Sequence, residues 1–358
     1  MDLSYLLYGS SGECQTVLKA NVMRPKLIVV PIVGLFLSLV PISLEESSGG
    51  LKPEEKRQFS SLPDTTASSQ TAVDDFIKNQ SEDHSMQWFY SDTRGELKGV
   101  ALVIHGLNLR PDRMRPIISK LNESGIDVLG LSLRGHGDNY SRSKGIDADQ
   151  ARLESFKNVS YQAWMNEAYL AYLQLKERGT QKKVPFFLTA FSLGGLIGLE
   201  LFASHPDVRF DKQILFAPAI RLHATIYLER LFSPFPRLVI PSMAPETYLA
   251  NTKGTPIAAY NALFDGLDQF NQNAGHRLNV PTLVFIDEQD EFIPVKKLQQ
   301  LLEEKKWNQW QLYIVKKDNT ARKDSFNHHI TDAASTGKTV WKKMMKAVVD
   351  HLQNHKSQ

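Results

Sequence analysis

Residues 184–198 constrain the fold of this 358-residue chain more than any other stretch. Val184-Pro185-Phe186-Phe187-Leu188-Thr189-Ala190-Phe191 is an apolar, aromatic-rich run of strand length. It turns abruptly into small residues around one serine, Ser192-Leu193-Gly194-Gly195, and residues 196–203 then carry helical spacing interrupted only by Gly198. Strand, tight turn and helix with serine at the turn is the arrangement that presents a hydroxyl at the end of a sheet. The turn brings the positions two before and two after the serine close together, so both must be small. Gly194 meets that demand, and Ala190 adds one methyl where glycine is usual. The plainer alternative is a buried strand-to-helix turn whose serine caps the helix. A short motif alone does not choose between them.

The pattern on either side extends the first clue. Residues 87–91 read as an edge strand, 99–105 as a buried strand, 114–121 as a helix begun after Pro111, and 127–133 as the next strand. Residues 161–176 form an amphipathic helix with Trp164, Ala168, Leu170, Ala171 and Leu175 available to a core, and 213–217 another buried strand. After a break, alternation resumes with a strand at 282–286, a helix at 294–304, a strand at 310–316 and a final helix at 338–351. Strands that are nearly continuous apolar runs, alternating with helices, predict an α/β fold with a mostly parallel central sheet covered on both faces. Functional loops of such a sheet lie at the carboxyl ends of its strands.

The break itself, residues 221–279, carries aromatics, prolines and helical pieces at 223–232 and 260–270 but no buried strand. It reads as a helical cap or lid. Tyr227, Phe232, Phe235, Tyr248, Tyr260 and Phe264 suit the wall of a mostly apolar pocket, although a purely structural excursion would read the same way. The expected organisation is therefore an N-terminal extension and signal or anchor (1–44), a flexible linker (45–72), a first part of the core (73–220), the cap (221–279) and a second part of the core (280–358).

Composition excludes several classes. With 42% hydrophobic and 23% charged residues the chain is globular. A core of about 270 residues buries roughly three quarters of its unfolded surface and needs no staples. The net charge is +3, and the basic pairs are spread among acids, so they read as solvated faces and no nucleic-acid partner is expected. The single cysteine, Cys14, precedes the expected core, which excludes a disulfide and gives no basis for thiol chemistry. Residues 27–44 are nearly unbroken apolar sequence between Lys19, Arg24 and Lys26 on one side and Glu45-Glu46 on the other. That order of charge reads as a secretory signal or an anchor, with possible membrane association through residues 27–44 and the following domain exported to the periplasm or beyond. A start at Met23 would make Met23-Arg24-Pro25-Lys26 a compact positive leader. The linker at 45–71 is rich in Ser, Pro, Glu, Lys and Thr.

A serine hydroxyl is a weak nucleophile, so it needs a base, a group that orients the base, and donors for the oxyanion. In a strand–elbow–helix architecture the chain order is serine, acid, histidine. Just past the strand at 282–286 the text is Asp287-Glu288-Gln289-Asp290-Glu291-Phe292-Ile293-Pro294. Asp290 lies a turn beyond the strand and before the proline-led helix, where it can point back to the sheet; Asp287 is the alternate. Either could instead be a solvated loop carboxylate. Between the last strand and the last helix stands Asn327-His328-His329-Ile330. His328 is preferred because the residues after it can begin the descent to the helix, with His329 the competitor. A metal pair is disfavoured, since sequence neighbours seldom converge on one ion and no HExxH spacing or cysteine ligand supports it. Two backbone N–H groups suit the oxyanion: Leu193 after the serine, and Leu107 in His105-Gly106-Leu107 after the strand at 99–105. His105 and His136 read as loop braces.

Taken together, His105-Gly106, Leu133-Arg134-Gly135-His136-Gly137, Ala190-Phe191-Ser192-Leu193-Gly194-Gly195, Asp290 with Pro294, and His328 occur in the order and approximate spacing of a known family. Across residues 87–352 the chain resembles the α/β-hydrolase superfamily, and most of all its monoglyceride-lipase and serine-aminopeptidase branch. The resemblance implies a Ser–His–Asp triad, a cap over an acyl pocket and no cofactor. Departures are Ala190 for glycine, Asp287 at the end of the acid strand, and the doubled histidine. The expectation is a serine hydrolase for a small-molecule carboxylic ester, of carboxylesterase or monoacylglycerol-lipase type, with a peptidase, amidase or acyltransferase of the same fold, or a non-catalytic binding protein, as alternatives. A peptidase would want a ring of cap carboxylates, for which only Glu229, Glu246, Asp265 and Asp268 are on offer.

Overall fold

The computed structural model describes residues 85–91, 96–142 and 144–353. The expected signal or anchor at 27–44, the linker at 45–72 and the start of the core at 73–84 lie outside the described residues. Among the described residues no helix is long and apolar enough to cross a membrane.

Seven strands form the central sheet: β1 (Met86–Phe89), β2 (Gly99–Ile104), β3 (Ile126–Leu131), β4 (Phe186–Phe191), β5 (Lys212–Phe216), β8 (Thr282–Asp287) and β9 (Trp310–Val315). Two further strands, β6 (Val239–Ile240) and β7 (Thr255–Pro256), form a separate two-stranded ladder. The order in the main sheet is β1-β3-β2-β4-β5-β8-β9, with β1 antiparallel to β3 and every other neighbouring pair parallel. All side chains of β2 and β8 are buried, as strands covered on both faces require. β1 ends earlier than residue 91 because Ser91 leaves the ladder and donates its N–H to Asp127 Oδ1 at 2.8 Å. After β3 the chain crosses over to the far side of β2, so the carboxyl ends of β2 and β4 flank a topological switch point, where α/β sheets place their sites.

The helices are α1 (Arg115–Glu123), α2 (Ala148–Phe156), α3 (Tyr161–Lys182), α4 (Leu193–Ser204), α5 (Ile257–Asn273), α6 (Val295–Lys305), α7 (Ala333–Thr336) and α8 (Lys338–Gln353). The sequence pattern did not disclose α2, and α3 runs past residue 176 to a left-handed end at Lys183, φ 57°. Leu170, expected in the core, is only half-buried, whereas Met165 and Tyr172 are buried. α4 is enclosed from Leu193 to Phe202, which explains why its sequence is apolar all round.

The segment read as one cap, 221–279, divides in two. Its second half is α5, whose Ile257, Ala259, Ala262, Leu263, Phe264, Leu267 and Phe270 are buried and which packs on α4. Parallel neighbours β5 and β8 need a crossover, and α5 supplies it. The inserted part is residues 221–256, where a 3₁₀ helix (Ala224–Phe232) precedes the β6–β7 ladder. Phe235, expected in a pocket wall, is 63% exposed, and Tyr227 is also exposed, while Tyr248 and Phe264 are buried.

Candidate active site

Ser192 sits between β4 and α4 with φ 51° and ψ −115°, a conformation that costs energy for a residue with a side chain. Its backbone is held on three sides: Ser192 N–H donates to Phe216 O, and Ser192 O accepts from Gly195 N and Ala219 N, each at 2.9 Å. Its hydroxyl makes no cap bond to α4, which removes the plainer reading of the serine as a helix cap. The small residues around it are accounted for. A Cβ at Gly194 would strike Ile104 O and come within 2.6 Å of His105 O, so β2 and the elbow approach each other backbone to backbone. One at Gly106 would lie 2.6 Å from the Phe191 ring and 3.2 Å from Ser192 Cβ. Ala190 is fully buried in β4 between Ile104 and Leu215.

The Ser192 hydroxyl lies 2.9 Å from His328 Nε2, and His328 Nδ1 lies 2.8 Å from Asp290 Oδ2. All three residues are buried. The imidazole is seated between the Phe191 ring, 4.9 Å away, and the edge-on Phe292 ring, 5.0 Å away. Asp290 Oδ1 accepts the Phe292 and Ile293 amides, both at 2.8 Å, leaving Oδ2 for the histidine. The two alternates do not join this chain of bonds. Asp287, last residue of β8, spends Oδ1 on Gln289 N at 2.8 Å, and burial raises its pKa. His329 turns away and stacks on Tyr248 with centroids 4.8 Å apart and planes 12° apart. Burial lowers its pKa to about 3, so it is neutral.

Leu107 lies in the loop after β2, and among the described residues its backbone N–H donates to no internal acceptor. Leu193 is the first residue of α4, where the N–H has no intrahelical partner. The loop is braced by two buried histidines. His105 Nδ1 donates to Gly106 O at 2.8 Å and its Nε2 accepts Leu133 N at 3.0 Å. His136 Nε2 accepts Asn108 N at 2.9 Å, and its Nδ1 lies 3.2 Å from Leu133 O. Burial lowers the pKa of His105 to about 4 and that of His136 well below its ordinary value. Both rings are therefore neutral, as an accepting Nε2 demands.

Three contributors escaped the sequence reading. Glu291 accepts Asn327 N at 2.9 Å and His328 N at 3.0 Å, fixing the histidine loop by its main chain. Lys317 Nζ donates to Phe326 O at 2.5 Å and His329 O at 3.0 Å on the same loop. Asn108, with φ 50°, is bonded through both backbone and side chain. Groups that work by holding main-chain amides leave no spacing pattern to find. A cavity of about 570 Å³ opens beside the loop after β2, against His105, Met114, Arg115, Leu249 and Lys253. Its walls include none of Ser192, Asp290 and His328, so it is distinct from this cluster. Among the described residues no group of three or more His, Cys, Asp or Glu side chains is arranged to hold a metal.

A buried carboxylate, an imidazole and a hydroxyl in sequence, beside two free backbone N–H groups, can activate an oxygen nucleophile and receive an oxyanion. Known proteins carry the same fold. The sequence profile of the serine aminopeptidase S33 family matches residues 95–255, which contain the loop after β2 and Ser192 but end before Asp290. A thermostable monoacylglycerol lipase from Bacillus sp. (strain H-257) is 26% identical over 202 residues, covering 54% of this chain and 71% of the relative. A soluble variant of Saccharomyces cerevisiae monoglyceride lipase, bound to a substrate analogue, superposes with TM-score 0.59 at 14% identity over 76% of this chain and 92% of its own. One of the two metagenome-derived lipolytic enzymes LipS and LipT gives TM-score 0.57 at 19% identity over 75% of this chain and 98% of its own. Fold and matches give this chain the α/β-hydrolase fold. Its sequence similarity lies on the monoglyceride-lipase and serine-aminopeptidase branch of that superfamily.

Proposed function

We propose that this α/β hydrolase cleaves carboxylic esters, of the carboxylesterase or monoacylglycerol type, through an acyl-enzyme on Ser192. The observation that carries the reading is the unbroken bond series from Asp290 through His328 to the Ser192 hydroxyl. Ser192 Oγ attacks the ester carbonyl and gives its proton to His328 Nε2. Asp290 holds the Nδ1–H tautomer and stabilises the imidazolium. The N–H groups of Leu107 and Leu193 receive the oxyanion; loss of one such donor typically costs on the order of a hundredfold in rate. The tetrahedral adduct collapses, the alcohol leaves with the proton from His328, and water then hydrolyses the acyl-enzyme by the same steps.

The names of the relatives, monoacylglycerol lipases above all, favour an ester with an apolar acyl part. A peptidase reading has one observation behind it: Glu229 in the insert keeps a buried carboxylate oxygen without a partner. Of the other insert and α5 carboxylates, Asp268 is paired with Arg230 and Glu246 lines the separate cavity. The full chain is assayed on p-nitrophenyl esters of short to long acyl chains. Ser192→Ala and His328→Ala are expected to abolish turnover, whereas His329→Phe, which keeps the stack on Tyr248, retains most of it. Amide turnover with no ester turnover would transfer the proposal to the peptidase reading. We extend the proposal to location: residues 27–44 export the hydrolase domain. Added protease should then reach it in spheroplasts, and protection would refute export.

A further inference from the structure

The insert is attached to both loops of the candidate site within the short segment 248–251. One attachment is to the loop that carries Leu107. Ala250 N donates to Asn108 O at 2.9 Å and Arg110 N to Tyr248 O at 2.8 Å, an antiparallel bridge centred on Leu109 and Leu249. The Asn108 and Asn251 amides complete it: Asn251 N donates to Asn108 Oδ1 at 2.8 Å, and Asn108 Nδ2 to Asn251 O at 3.1 Å. Asn251 Nδ2 reaches on to Gly135 O at 2.9 Å, tying in the turn that bears His136.

The second attachment is to the histidine loop. Tyr248 OH donates to the Asp332 carboxylate, 3.0 Å from each oxygen, and its ring covers His329, the immediate neighbour of His328. The Arg113 guanidinium lies 5.1 Å from the Tyr248 ring centroid. Asp332 in turn caps α7 through Ser335 N at 2.7 Å.

Asn108 occupies the left-handed region, which a residue with a side chain enters only when its surroundings hold it there. All four of its polar groups are bonded outside its own loop: N to His136, O to Ala250 N, Oδ1 and Nδ2 to Asn251. The Leu107 N–H lies in the Gly106–Leu107 peptide, whose carbonyl accepts Leu109 N at 3.2 Å, and Leu109 is the residue that the bridge to Leu249 holds. Rotating that loop would break the bridge to the insert, and shifting the insert would pull on the histidine loop through Tyr248.

We infer that residues 248–251 form a strap that places the Leu107 N–H and the His328 imidazole jointly against Ser192, making Asn108, Tyr248 and Asn251 positioning residues for acyl transfer. The inference rests on the serine-hydrolase reading above. A strap of this kind acts on the rate of the chemical step, whereas a mere anchor for the insert acts on substrate binding.

The test uses the full chain and two mild variants. Asn108→Gly keeps the backbone conformation that glycine favours and deletes the amide pair; Tyr248→Phe keeps the stack and deletes the bonds to Asp332. For each, kcat and KM on the preferred p-nitrophenyl ester, the thermal melt, and hydrogen exchange of peptides spanning 105–110 and 326–332 are measured. We expect kcat to fall roughly tenfold or more with KM within about threefold, as for lost transition-state contacts. Exchange should rise in both peptides for either variant, and the double variant should lose less than the product of the two single losses. Where Asn108→Gly does not melt cooperatively, Asn251→Ala replaces it. Raised KM at unchanged kcat would overturn the strap and leave an anchor; strictly multiplicative losses, or exchange confined to the mutated loop, would overturn joint placement. Absence of Ser192-dependent turnover in the unmutated protein would instead remove the hydrolase reading beneath it.

Discussion

Asp287 and Asp290 differ in what their oxygens already do. Asp287 closes the turn after β8 by accepting Gln289 N, whereas Asp290 gives one oxygen to two amides and turns the other to His328. Asp290→Asn should therefore reduce kcat on the order of a thousandfold or more, as loss of the orienting carboxylate does in Ser–His–Asp triads. Asp287→Asn should cost less than about tenfold, since the amide oxygen can still accept the Gln289 N–H. Steady-state kinetics on one ester compares the two, and equal losses would count against the assignment. At the elbow, Gly194→Ala would drive a methyl into Ile104 O and His105 O. Backbone cannot rotate aside as a side chain can, so we expect about 1–3 kcal/mol of lost stability by urea titration, as overpacking typically costs. Serine, acid and preferred histidine could be read from sequence because the chemistry demands those residue types in a fixed chain order. Glu291 could not, because accepting Asn327 and His328 amides is something any carboxylate in that crowded loop could have done.

At the scale of elements, legibility followed burial. β2, β4 and β8 are enclosed, and their apolar runs were read nearly to the residue. In the sequence α5 reads as part of the cap because its start, Ile257 after Pro256, is hidden in a polar and proline-bearing stretch, and only the β5–β8 pairing reveals it as a crossover. α2 has little amphipathic pattern, and what defines its start is Asp147, whose carboxylate accepts Asp149 N and Gln150 N at 3.0 Å. The same device starts α3, where Ser160 Oγ accepts Ala163 N at 3.2 Å. Ser160→Ala should lower stability by about 1 kcal/mol, the usual worth of such a cap, and leave kcat unchanged. A denaturation curve on each protein measures it; a drop in kcat would mean that α3 reaches the site by a route its capping does not explain.

The molecule as a whole holds several imidazoles that folding keeps neutral, and this links its stability to acid. Burial lowers the pKa of His105 to about 4 and that of His329 to about 3, the latter helped by the nearby Lys317 ammonium. In the unfolded chain such a ring titrates near 6.5. Below that pH the unfolded state takes up protons that the folded state refuses. The contribution is thus complete above about pH 6.5 and is lost as pH falls toward the folded values, at up to about 1.4 kcal/mol per unit for each ring. Buried carboxylates pull the other way. Burial raises the pKa of Glu167, Glu200 and Asp287, so the folded state gains protons before the unfolded one as pH falls. The net slope of the wild-type protein mixes both groups, and a difference between two proteins separates them. His329→Phe keeps the ring against Tyr248 and removes one titrating group while leaving the carboxylates in place. Between pH 7 and 4.5 the variant should lose less stability than the wild-type protein, by on the order of 2 kcal/mol. Urea titrations of both proteins across that range would show it as curves that converge or cross in acid. Parallel curves would mean that His329 takes its proton in the folded state as readily as in the unfolded one, which its burial against Tyr248 should forbid.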